Sequence, residues 1–251
     1  MKTKRALVRR PGKSFSSCIS DHPERDTVDL TRAREQHRKY VSVLRDLGLD
    51  IIELAPLDSH ADSCFVEDTV VVHGDRCVIC NLKLPSRQGE ESTVGRVLED
   101  FLDCIWMKPP ATLEGGDVIH LDDRLICGIS KRTNQLGAAK LEDWLKVPIE
   151  RVVDPSLFHL KGKATFLGNN TMVISEDYAQ NPHFSDFSLV VVSRDESYAT
   201  NTLTIGDTVL MPEGFVNTKS RITELGFDVI ELELTEFEKC QGSLTCLSIM
   251  F

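Results

Sequence analysis

Cys246 lies in the run Gln241-Gly242-Ser243-Leu244-Thr245-Cys246-Leu247-Ser248, near the end of the chain. A Gly-Ser approach to a small polar residue and then a cysteine suits a tight turn that presents a thiol. Alone, such a cysteine also fits a structural place in the core, so its company decides. His159, in Phe158-His159-Leu160-Lys161, offers an imidazole that titrates where a cysteine nucleophile needs an acid or a base. Glu114 stands in Leu113-Glu114-Gly115-Gly116-Asp117, where two glycines between two acids make a turn free of side chains that a ligand can approach. Asp62, Glu67 and Asp68 add three more carboxylates within Asp62-Ser63-Cys64-Phe65-Val66-Glu67-Asp68. Carboxylates in a low-dielectric cavity are costly unless a cation pairs with them. A planar guanidinium matches them, because its donor fork suits carboxylate oxygens. Each charge-assisted hydrogen bond contributes about 1.5–3 kcal/mol. A guanidinium held in this way leaves its central carbon electrophilic and open to a thiolate.

These groups are far apart in sequence, so the fold must gather them. Five polar positions stand at the mouths of apolar, strand-like segments: Glu67, Glu114, His159, Asn201 and Cys246. They follow one another at steps of 47, 45, 42 and 45 residues. Turn signals at Asp122-Asp123, Gly168-Asn169-Asn170 and Gly206-Asp207 then lead into second strands at 124–127, 171–174 and 208–211. A helix is predicted over 29–47, with Gly48 as its stop and a strand at 50–54, and the chain closes with a similar unit, helix 218–225, Gly226 and a strand at 229–232. Strands alternating with helices define the α/β class. Five units of about 45 residues arranged as a ring bring the polar positions to one central cavity and make residues 1–251 a single domain. An ordinary α/β sheet with accidental spacing is the alternative.

Composition bounds the rest. The chain has 251 residues, 41% of them hydrophobic, and a formal net charge of −10, which argues against nucleic acid or an anionic membrane surface as the main partner. No run is long and apolar enough to span a bilayer. Basic residues at both ends of Met1–Pro11 leave no apolar signal-peptide core, so a cytoplasmic location is expected. The eight cysteines are accordingly expected as free thiols in a reducing compartment. Cys77-Val78-Ile79-Cys80 has no second ligand pair and reads as core thiols within a strand, not as half a zinc site.

Taken together, Asp62–Asp68, Pro85-Ser86-Arg87, Leu113–Asp117, Gly128–Asn134, Phe158–Lys161, Glu196-Ser197-Tyr198-Ala199 and Thr245-Cys246 resemble the dimethylarginine dimethylaminohydrolases of the guanidine-modifying (pentein) superfamily. The segments run in family order over nearly the whole chain. The resemblance implies a five-bladed ββαβ propeller without metal or organic cofactor, converting methylated arginine to citrulline and an alkylamine. It implies Cys246 as nucleophile, His159 as general acid and then base, and Glu114 and Asp68 as the grip on the guanidinium. Glu67 is implied as an orienting carboxylate near Cys246, Arg87 and Arg132 as ligands of the substrate α-carboxylate, and Asp62 as ligand of its α-ammonium. Ile19, in a lid over Ser14–Ser20, and Thr245, which replaces a serine, are implied to line the substrate. A homodimer is left open. Arginine deiminases share several of these pieces but commonly carry an acid two residues after the histidine, where this chain has Lys161. That favours the methylarginine branch, with a deiminase or another guanidine hydrolase as the alternative. Asn81-Leu82-Lys83-Leu84, beside Arg87, departs from the pattern of many relatives.

Overall fold

A computed structural model describes residues 5–251. The chain opens with β1 (Arg5–Arg9), then α1 (Leu30–Asp46), then β2 (Asp50–Leu54), which pairs parallel with β1. The predicted helix is here to within one residue at each end. Asp29 caps it by accepting from the Thr31 and Arg32 amides, and Gly48, at φ 86°, turns the chain out. Its apolar face buries Ala33, Tyr40, Val41 and Leu44 against the sheet.

The next four units repeat one plan, an antiparallel hairpin followed by a crossover to a parallel third strand. The second blade is β3 (Val70–His73), β4 (Arg76–Ile79), α2 (Glu91–Leu98) and β5 (Asp103–Trp106). The third is β6 (Val118–His120), β7 (Leu125–Ile129), α3 (Gln135–Leu145) and β8 (Ile149–Val153). In the fourth, β9 (Ala164–Gly168), β10 (Thr171–Ser175) and β11 (Ser188–Val192) lack a crossover α-helix. A 3-10 turn at Pro182–Phe184 takes its place, started by the Asn181 side chain and Pro182, with buried Tyr178 and Phe184 filling the space a helix would cover. The ββαβ unit is therefore complete in four blades and abbreviated in one. The fifth blade is β12 (Leu203–Ile205), β13 (Thr208–Pro212), α4 (Val216–Glu224) and β14 (Asp228–Leu232). After the short α5 (Thr235–Glu238), β15 (Ser248–Met250) pairs antiparallel with β1 and completes the first blade. Five three-stranded sheets result, as the recurrence required.

The inner strands β3, β6, β9, β12 and β15 line an axial cavity of about 1330 Å³, bordered by Glu67, Lys161 and Thr245. No helix among the described residues is long and apolar enough to cross a membrane.

Four cysteines depart from expectation. Cys18 is bonded to Cys240, and Cys77 to Cys104. Cys77 and Cys104 face each other in register on the parallel pair β4–β5, with Cα atoms 4.6 Å apart. Their spacing hides this, because the crossover through α2 lies between them. Cys18 and Cys240 are 222 residues apart and meet only because the end of the chain returns to its beginning. Cys64, Cys80 and Cys127 are free and buried, and Cys246 is free and half-buried.

Candidate active site

Each inner strand is preceded by a 3-10 element, one turn long except before β12, and these elements carry the candidate residues. Val66–Thr69 holds Glu67 and Asp68; Glu114 and His159 stand just before Gly115–Asp117 and Leu160–Gly162; Asn201 follows Arg194–Thr200; Cys246 lies within Thr245–Leu247. Turns of this kind place a side chain at the strand mouth while the strand stays in its sheet.

His159, Glu114 and Asp68 form the centre. His159 Nε2 is 2.8 Å from Glu114 Oε2 and 3.6 Å from Asp68 Oδ1. Gly115-Gly116 allows this, though not in the way the sequence suggested. A Cβ on Gly116 would stand 2.7 Å from His159 Nδ1 and 2.8 Å from Asp68 Oδ1, so the protein's own side chains, not a ligand, occupy the approach. The Gly116 amide donates to Asp68 Oδ1 at 3.0 Å. The Lys83 amide donates to Glu114 Oε1 at 3.1 Å, so the departing segment 81–84 supports Glu114.

The electrostatics follow from burial and partners. Burial alone would lower His159; Asp68, the Glu114 hydrogen bond and Asp117 outweigh it and hold the imidazole at about 9. Burial would raise Asp68, but His159 and Arg87 draw it down to about 2. Burial raises the Cys246 thiol to about 12, reinforced by Glu67 and Asp68 and opposed by Lys161. Asp117, raised to about 6 by burial against the pull of His159, accepts from the Leu160 amide and the Ser130 hydroxyl and so fixes the turn below the imidazole.

Thr245 is buried and donates to Glu67 Oε2 at 2.8 Å, while Lys161 Nζ binds Glu67 Oε1 at 2.5 Å. Burial raises the Glu67 carboxyl despite that lysine. Glu67, Lys161 and Thr245 thus lie between the axial cavity and the central cluster; Glu114, His159 and Cys246 do not line that cavity. Hydrogen bonds join Glu67 and Asn201 through Thr245, and Glu114 to His159, so the ring gathers these positions as packed, bonded groups more than as the wall of one open space.

The two arginines differ. Arg132 is buried, with its guanidinium 4.4 Å above the Phe158 ring and, among the described residues, Glu114 Oε2 at 3.5 Å as its acceptor. Arg87 departs from expectation. Its Nη1 donates to Asp68 Oδ2 at 2.7 Å, its Nη2 to Glu90 Oε2 at 2.7 Å and to the Phe65 carbonyl at 3.3 Å, and its Nε to Glu90. Four of the five N–H donors a guanidinium carries are engaged, because Glu90 follows three residues later on the same turn. Arg87 holds Asp68 and has little left for a ligand. Asp62 is buried and accepts the Ile19 amide at 3.1 Å, tying down the 14–20 segment; Ile19 itself is 38% exposed. Phe15 packs on Phe65 and Phe237, and the Cys18–Cys240 bond anchors the same segment.

Asp68, Glu114 and His159 each offer one ligand atom within 4.8 Å of the others, a set that could ligate a divalent ion. Arg132 beside Glu114 adds a positive charge that such an ion would have to oppose. Sequence reasoning passed over Glu90, gave Asp117 no task beyond its turn, and did not pair Lys161 with Glu67. Only Glu90, three residues after Arg87 on a turn, left a local signal.

A ring of five α/β blades around a thiol, an imidazole and paired carboxylates is the pentein arrangement of guanidine-modifying proteins. A family model described as "N,N dimethylarginine dimethylhydrolase, eukaryotic" matches residues 18–181. The chain is 31% identical to the N(G),N(G)-dimethylarginine dimethylaminohydrolase of Pseudomonas aeruginosa, covering 99% of each. It is 34% identical to that of Streptomyces coelicolor, covering 99% of this chain and 97% of the other. The crystal structure of a cysteine-to-serine mutant of the Pseudomonas aeruginosa protein complexed with citrulline superimposes at a TM-score of 0.96, with 28% identity and full coverage of both chains. The chain belongs to the dimethylarginine dimethylaminohydrolase family.

Proposed function

We propose that the protein hydrolyses Nω-methylated arginine to L-citrulline and methylamine or dimethylamine, with residues 1–251 acting as one catalytic domain. The observation that carries this reading is the contact of His159 with both Glu114 and Asp68, with the Thr245-Cys246 turn bonded to the adjoining Glu67. The substrate guanidinium enters among carboxylates that, unoccupied, favour a protonated thiol. Its charge offsets theirs, the thiol proton leaves to solvent, and the Cys246 thiolate bonds to the guanidinium carbon. His159, at about 9, is an imidazolium at neutral pH and protonates the departing nitrogen as the carbon–nitrogen bond breaks. The amine leaves, and a cationic S-alkylthiouronium remains on Cys246. Now neutral, His159 takes one proton from water as the water oxygen attacks that carbon; on collapse the carbon–sulfur bond breaks, the hydroxyl proton passes to the departing sulfur and restores the Cys246 thiol, and neutral citrulline is left. Citrulline is neutral at its ureido end, so the carboxylate grip on that end is released.

Arg132, with most of its donors unspent, takes the substrate α-carboxylate; Arg87 acts by holding Asp68. Asp62, Ile19 and Thr245 border the substrate, Asp62 facing its α-ammonium. No cofactor is needed for these steps. We place the protein in the cytoplasm, where burial of Cys18, Cys240 and Cys77 shields both disulfides from thiol exchange. The test is parallel incubation with asymmetric dimethylarginine and with arginine, measuring citrulline and the released base. Citrulline with dimethylamine supports the reading. Ammonia from arginine alone identifies a deiminase, and neither product removes the assignment.

A further inference from the structure

Asn201 occupies the fifth mouth of the ring, and no step above uses it. It is buried, and its side-chain amide makes three contacts. Its Oδ1 accepts the Thr245 backbone amide at 3.1 Å; its Nδ2 donates to Thr245 Oγ1 at 3.0 Å and to the Lys161 carbonyl at 3.3 Å. Thr245 precedes Cys246, and Lys161 lies two residues after His159 in the turn that carries it. We propose that Asn201 is a positioning residue for the reaction, one rigid amide that locks the turn bearing the nucleophile to the turn bearing the general acid. This rests on the roles given above to Cys246 and His159.

The geometry favours a positioning task over simple satisfaction of a buried amide. Asn201 binds both the main chain and the side chain of Thr245, which removes rotation of the Cys246 turn about a single bond. The Thr245 hydroxyl, oriented by Asn201, can then direct its own proton to Glu67 Oε2 at 2.8 Å. The chain passes from one functional turn to the other without any contact through bulk solvent. Reacting groups displaced by about 1 Å lose on the order of 100-fold in rate, so a clamp on both turns acts on kcat and leaves the remote contacts that set KM in place.

The experiment compares wild type with Asn201→Ala and Asn201→Asp in the full chain. Asn201→Asp is isosteric and keeps the acceptor for the Thr245 amide, but it sets a carboxylate oxygen against the Lys161 carbonyl and Thr245 Oγ1. It carries the test if Asn201→Ala does not fold. Two quantities are read: kcat and KM on asymmetric dimethylarginine, and the rate of Cys246 alkylation by iodoacetamide against pH, mapped by mass spectrometry. The expected result is a kcat lower by roughly 10- to 100-fold at a KM within about threefold. In Asn201→Ala, Cys246 should also be alkylated faster at pH 8, with a lower midpoint, because a loosened turn leaves the carboxylates that disfavour the thiolate; Asn201→Asp adds a carboxylate of its own and is read by kcat against KM. Cys64, Cys80 and Cys127 should stay unlabelled. A kcat within about threefold of wild type, an unchanged Cys246 alkylation profile in Asn201→Ala, or joint labelling of the buried cysteines would each overturn the proposal. If wild type releases nothing from methylarginine, the functional reading fails by itself and the alkylation profile still decides Asn201.

Discussion

The pH dependence of turnover follows from two ionisations that stand in an unusual order. In the free protein the His159 imidazolium loses its proton at about 9 and the Cys246 thiol at about 12. Chemistry needs the opposite pairing, thiolate with imidazolium. Near neutral pH that microstate is a minor one, and its share grows tenfold for each pH unit. Above about 9 the loss of imidazolium cancels the gain of thiolate, and the share levels at roughly one molecule in a thousand. Hence kcat/KM for asymmetric dimethylarginine is expected to climb from pH 6, bend at about 9 and stay flat from there toward about 12. The rise of His159 from 6.5 to about 9 corresponds to roughly 3 kcal/mol in favour of its charged form. Glu114 supplies part of that through its 2.8 Å contact. Glu114→Gln keeps an acceptor and removes the charge. The bend should therefore move to lower pH and the plateau should fall, since the two ionisations draw further apart. Citrulline release gives the profile, and NMR titration of the His159 ring protons gives the bend independently. A wild-type profile already flat from pH 6.5, or a His159 that titrates near 6.5 in the free protein, would refute the reasoning.

The same ionisation bears on stability. His159 is held above its unfolded value, so its contribution is full below about 6.5 and is lost as pH rises through about 9. Thermal melts should show Tm falling across that window in wild type and falling less in Glu114→Gln. Cys246→Ser should abolish citrulline release with the melting temperature kept; residual turnover near wild type would remove the nucleophile. Arg132→Ala should raise KM for dimethylarginine at little cost in kcat, because the α-carboxylate is bound equally in ground and transition states; a kcat loss at unchanged KM contradicts the assignment. Arg87→Leu should behave differently. It leaves Asp68 and Glu90 buried without their cation, a loss on the order of 3–5 kcal/mol of stability, and kcat should fall with it. A rise in KM alone, with stability intact, would return Arg87 to carboxylate binding.

What could be read from the sequence and what could not divide along a physical line. The five mouths were legible because a ring imposes a period, and the period survives in the spacing of Glu67, Glu114, His159, Asn201 and Cys246 whatever the blades contain. Helix α1 was legible because its cap, its apolar stripe and Gly48 are local signals. The fourth blade lost its helix at a step of 42 residues against 45 to 47 elsewhere, too small a change to reveal the loss. Contacts across the ring were not legible. The Cys18–Cys240 bond joins the two ends of the chain, and the Thr245–Glu67 hydrogen bond spans 178 residues. Glu196 and Tyr198 show the limit of a motif. They carry part of the family resemblance, yet Glu196 accepts from the Asn217 and Thr218 amides at the start of α4, and Tyr198 donates to the Gly242 carbonyl on the approach to Cys246. Arg87 is the most instructive case. A basic residue beside a site of carboxylates looks, in sequence, like a ligand for the substrate. In the fold Asp68 is kept ionised away from water by His159 and Arg87 together. Arg87 is taken up by that task, and Arg132, stacked on Phe158 with one long contact to Glu114, is the arginine that we propose meets the substrate.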